Sequence, residues 1–83
     1  MSELTIAEHV LKYRDVIDPS SKATASQLLR RSRKELVEDL DAIDRGLEKE
    51  KRPEVIQTLK ECQTLLRDQL QKVDEALSVC AQD

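Results

Sequence analysis

The side chains able to do chemistry are few, and their spacing sets them apart from one another. His9 is the single histidine, Cys62 and Cys80 are the two thiols, Asp41 and Asp44 are carboxylates one helical turn apart, and Arg30, Arg31, Arg33 and Lys34 form a basic cluster. A catalytic or metal site needs several such groups converging in one partly dry pocket. His9 has no Cys/His companion at ligand spacing and no glycine-rich phosphate loop, so it reads as an edge histidine. Acid pairs such as Asp41 and Asp44 arise by chance in a chain this charged. The basic cluster has no interleaved aromatic and runs directly into Glu35, Glu38 and Asp39, which makes it a salt-paired helix face more readily than a phosphate reader. The residues therefore point away from an enzyme, a cofactor, a metal centre and nucleic-acid binding.

The elements that must carry these groups are helices. The 83 residues include one Gly, two Pro, one Tyr and no Phe or Trp, and 37% are charged, well above the ordinary ~25%. Leu, Ile, Val and Ala supply nearly all the apolar surface. A single small all-α domain over residues 1–83 is expected, with a narrow aliphatic core and modest stability.

The chain is organised around Ser26 to Cys80. Leu29, Leu36, Leu40, Ile43 and Leu47 recur on one side of a 3.6-residue helix, and Val55, Leu59, Cys62, Leu66, Leu70, Val73, Leu77 and Cys80 repeat the pattern on a second. Pro53 suits a first helical turn and not a helix interior, so the chain stops and reverses at Lys51-Arg52-Pro53. The expected product is an antiparallel helical hairpin with helices over about 21–50 and 54–80. Gly46 costs about 1 kcal/mol relative to Ala, but Leu47 continues the stripe beyond it.

Upstream, Thr5-Ile6-Ala7-Glu8 has capping-box spacing, and Ile6, Val10, Tyr13 and Ile17 share one face, which predicts a shorter helix over about 6–17. Asp18-Pro19-Ser20-Ser21 breaks it, with Asp18, Ser20, Ser21 and Thr24 all available as the next N-cap. Leu28 and Val37, and on the other helix Ile56, Leu65 and Ala76, widen the apolar sector beyond a two-helix seam, so the first helix can complete a three-helix or coiled-coil-like bundle, or a partner can take its place.

Both cysteines fall on the stripe and are expected as small core residues. Within one helix their 18-residue separation is about 27 Å, beyond disulfide reach. Arg33 and Gln69 interrupt the stripe as rim or register-setting positions. The hairpin brings the basic cluster beside Asp68, Asp74 and Glu75, which favours antiparallel pairing.

The net charge of −3 implies no general attraction to nucleic acid or anionic membranes. No apolar run approaches the ~18 residues of a membrane span, and the N-terminal residues lack the regions of a secretory signal, so a soluble cytoplasmic protein is expected.

Residues 27–80 resemble the small helical co-chaperones that keep needle subunits of bacterial type III secretion from polymerising. The likeness lies in Arg33-Lys34-Glu35-Leu36 on one helix, a polar turn with proline, and Glu54-Val55-Ile56 opening a helix striped through Leu77. The aromatics expected near the end of that family's second hairpin helix are missing. The resemblance implies a heterodimer with a larger helical-repeat chaperone and a needle protein as client. Without it, the residues imply a non-enzymatic adaptor or subunit that binds a helical partner, or alternatively a self-associating coiled coil or four-helix bundle. The candidate protein-binding residues are Leu29, Leu36, Leu40, Ile43, Leu47, Ile56, Leu59, Leu66, Leu70, Val73 and Leu77.

Overall fold

The computed structural model describes residues 4–81, which form three helices, α1 (Ile6–Lys12), α2 (Pro19–Lys49) and α3 (Pro53–Ala81), with no strand among them. The hairpin of α2 and α3 makes a rod with α1 laid against its open end, and the whole measures 49 × 26 × 14 Å. We call the end that holds α1 the base and the end at residues 50–52 the tip.

Local sequence sets each boundary. The Thr5–Glu8 capping box forms as its spacing predicts: Glu8 N–H donates to Thr5 Oγ1 at 3.2 Å and Thr5 N–H donates to Glu8 Oε1 at 3.3 Å. Among the competing N-caps of α2, Asp18 takes the place, accepting from Ser21 N–H at 2.7 Å, with Pro19 in the first turn. The helix therefore starts two residues before the expected 21. It runs through Gly46 and stops at Lys49, where Glu50 caps it with an N–H to Gly46 O. Pro53 opens α3, and Ile56 N–H donates to Arg52 O at 3.0 Å.

The expected first helix over 6–17 is wrong by five residues. It ends at Lys12, and Tyr13 to Val16 form a turn closed by Val16 and Ile17 N–H groups on Tyr13 O. A helix continued to 17 would carry the chain past the base of the hairpin. Turning early lets Pro19 start α2 alongside and brings Ile17 back against the core.

The core sits wholly at the base. Ala7 and Val10 of α1, Ala25 and Leu29 of α2, and Val73, Ala76 and Val79 of α3 are buried. Leu29 and Val10 are the largest fully covered side chains, at 1% and 2% exposure. Burying a side chain of this size contributes about 1.5–3 kcal/mol, so this cluster dominates the fold. Ala76 matters for its smallness: at 0% exposure it lets α1 approach α3, on which α1 chiefly packs.

The seam between α2 and α3 also departs from the expected stripe. Cys62, expected in the core, is exposed. Gln63 takes its place in the seam, half-buried, and its Nε2 donates to Asp44 Oδ1 at 2.6 Å. The reason is periodicity. Two packed helices keep contact when steps of three and four alternate, as they do through Ile56, Leu59, Gln63, Leu66, Leu70, Val73, Leu77 and Cys80. The path through Cys62 takes two successive steps of four and rotates off the seam. Cys80 stays half-buried, and burial pushes its thiol up, opposed in part by Lys22.

Candidate interaction surface

The candidate residues fall into two groups. Leu29 and Val73 belong to the buried core, so the chain itself covers them. Leu36, Leu40, Ile43 and Leu47 of α2, and Ile56, Leu59, Leu66, Leu70 and Leu77 of α3, are half-buried along the seam. From Leu36 to Leu70, by way of the tip, no described residue is fully buried, because two helices without a third cannot enclose a side chain.

α1 stops midway along the rod. Its first turn, Thr5 to Glu8, lines a groove whose other walls are α2 through Leu36 and Asp39 and α3 through Leu65, Leu66 and Val73. Beyond that point the lane that α1 occupies is open. Helical spacing shows its course on α3, since Ala76, Lys72, Gln69, Leu65 and Cys62 succeed one another on one face. Ala76 lies under α1, while Leu65 is 58% exposed and Gln69 and Cys62 are exposed. Glu8, Glu35, Asp39 and Asp68 border the groove together with Lys72, which pairs with Asp68 at 3.5 Å, so the rim over the leucine floor carries a net acidic charge.

A second apolar surface lies at the base, between α1 and the start of α2. Ile6, Tyr13, Val16 and Leu28 line a groove there, and all four are exposed, Val16 by 76%. Tyr13, just past the end of α1, is held by that helix's last residues: the His9 ring stacks on it with centroids 6.0 Å apart, and Lys12 Nζ lies 5.4 Å from its ring centre. His9 thus stands beside an exposed aromatic. Among the described residues no group of three or more His, Cys, Asp or Glu side chains is placed to hold a metal ion, and no helix is long and apolar enough to cross a membrane.

Two polar contacts brace the hairpin. Arg33 Nε donates to Asp74 Oδ1 at 2.8 Å, and Asp44 accepts from Gln63 at 2.6 Å. The expectation that the basic cluster would meet acids of α3 holds at Arg33; Gln69, its counterpart on the stripe, is exposed. At the tip, Glu50 Oε1 accepts from Arg52 Nε at 2.9 Å and from the backbone N–H groups of Lys51 and Arg52. These bonds from Arg52 hold the Glu50 carboxyl at about 2, below its ordinary 4.5.

The charges are segregated along the rod. Residues 35–68, the tip half, hold ten carboxylates against six Lys and Arg; the remaining described residues hold eight Lys and Arg against five carboxylates. Sequence reasoning saw the blocks on α2 but missed the base groove, because Tyr13 and Val16 were assigned to a continuous helix. No protein-family model matches this chain, and comparison with curated proteins and with solved structures gave no match.

Proposed function

We propose that this chain is a non-enzymatic protein-interaction subunit that takes a helix of another polypeptide onto the tip half of its hairpin. The observation that supports it most is the incomplete third layer: α1 covers the base, and the same lane continues uncovered past Leu65, which is 58% exposed. A helix laid in that lane would bury Leu36, Leu65 and Leu66 as α1 buries Leu29 and Val73. The acidic rim at Glu35 and Asp39 would select a partner with basic flanks and fix its direction.

The likeness to needle-subunit co-chaperones supplies one specific version, a cytoplasmic adaptor whose client is an aggregation-prone helical subunit. Self-association into a bundle is the second version, favoured by the charge segregation along the rod. Affinity capture from the native cell with the wild-type chain and with Leu65→Asp tests the reading common to both. The variant, changed at an exposed position, keeps its helical signal and loses the stoichiometric partner. Equal capture by both chains would refute it.

A further inference from the structure

We infer that the open lane is filled by a second copy of this chain, laid antiparallel so that the base of each copy covers the tip of the other. This rests on the interaction reading above and names its partner. Charge is the first ground. With an excess of Lys and Arg in the base half and of carboxylates in the tip half, the rod is complementary to itself only when reversed. Parallel pairing would set acid against acid along the tip.

Shape is the second ground. α1 thickens one half of the rod and leaves the other half as a bare hairpin, and a two-fold axis across the middle lays each raised half into the other copy's hollow. The surfaces so joined are both apolar. The base presents Ile6 at the start of α1 and Tyr13 just past its end, exposed by 40% and 45% along the groove beside α2, with Lys12 over the Tyr13 ring. The hollow presents Leu65, with Glu35 and Asp39 on its border. Each α1 then lies between its own hairpin and its partner's, and Lys12 and Arg14 of one copy face Glu35 and Asp39 of the other. A face of 49 × 26 Å is large enough for the ~800 Å² per copy that a stable interface buries.

Sedimentation equilibrium of charge-swapped chains tests the arrangement. A tip variant, Glu35→Lys with Asp39→Lys, and a base variant, Lys12→Glu with Arg14→Glu, change only exposed positions. Each alone sets like charges together at both ends of the dimer, and its dissociation constant rises at least about tenfold over wild type. Mixed in equal amounts, they restore two attractive ends and form a heterodimer about as tight as wild type. Cross-linking of carboxylates to amines in a mixture of isotopically light and heavy wild-type chains joins Lys12 of one copy to Glu35 or Asp39 of the other, a readout independent of any variant's folding. Variants that dimerise as tightly as wild type, a mixture without recovery, or cross-links joining base to base overturn the antiparallel dimer. A wild-type chain that stays monomeric also overturns it. The interaction reading would survive that last result if Leu65→Asp still abolished capture of a different protein.

Discussion

Arg33 on α2 and Asp74 on α3 are joined by a 2.8 Å ion pair, each side chain 49% exposed. Eleven residues further along α2, Asp44 meets Gln63, eleven residues back along α3. The antiparallel register is therefore constant over three turns. The two contacts specify it more than they stabilise it, since exposed pairs contribute about 0.2–1 kcal/mol. A double-mutant cycle on Arg33→Ala and Asp74→Ala should give a coupling below about 1 kcal/mol that shrinks with added salt; urea unfolding measures it.

Gly46 is a position where the chain is less stable than it need be. No described glycine has a positive φ, and a Cβ at Gly46 would stand 3.6 Å from Leu59 Cδ1, an ordinary van der Waals contact. Gly46→Ala should raise stability by about 0.5–1 kcal/mol, through helix propensity and a less disordered unfolded chain. A midpoint in urea that moved down would contradict the packing described between α2 and α3.

The concentration of the core at the base predicts an uneven response to truncated side chains. Leu29→Ala, at a site 1% exposed, should cost about 2–5 kcal/mol, enough to unfold most of so small a domain. Leu65→Ala, at a site 58% exposed, should stay within about 0.5 kcal/mol in the monomer. Thermal melts of the two variants read the contrast directly.

Removing residues 1–17 while keeping Asp18 as the α2 cap would uncover Leu29, Val73 and Ala76. The shortened chain should lose amide-exchange protection at the base first and self-associate through the bared leucine and valine surface. Hydrogen exchange and light scattering would show both. Unchanged protection at Leu29 would mean that α1 contributes nothing to the core.

Acid should loosen the tip. The Glu50 carboxyl is held at about 2 by Arg52, below its ordinary 4.5. A carboxylate lowered on folding lends stability that is complete above about 4.5 and is lost as the pH falls from there toward 2. Glu8, bonded to Thr5, and Asp18, bonded to Ser21, are lowered as well and act in the same direction at the starts of α1 and α2. Glu50→Gln should be less stable than wild type at neutral pH and less sensitive to acid; melts from pH 2 to 7 of both chains test this.

While it left Asp18, Ser20, Ser21 and Thr24 open as caps of α2, local chemistry in the sequence was enough to determine three helices, the cap at Thr5, the reversal before Pro53 and the absence of strands among the described residues. These depend on neighbours within one turn of helix, so they are legible along the chain. Three features were settled only by packing. α1 ended at Lys12 because the chain had to return to the base of the hairpin. Gln63 replaced Cys62 in the seam because two packed helices hold a three-four alternation that a single helix does not impose. Most of all, the tertiary structure decided which part of a uniform aliphatic stripe became core. Leu29 and Leu36 are alike in sequence, but one lies under α1 and the other at the edge of the open lane, because a helix of seven residues, about 10 Å long, falls far short of covering a rod 49 Å long.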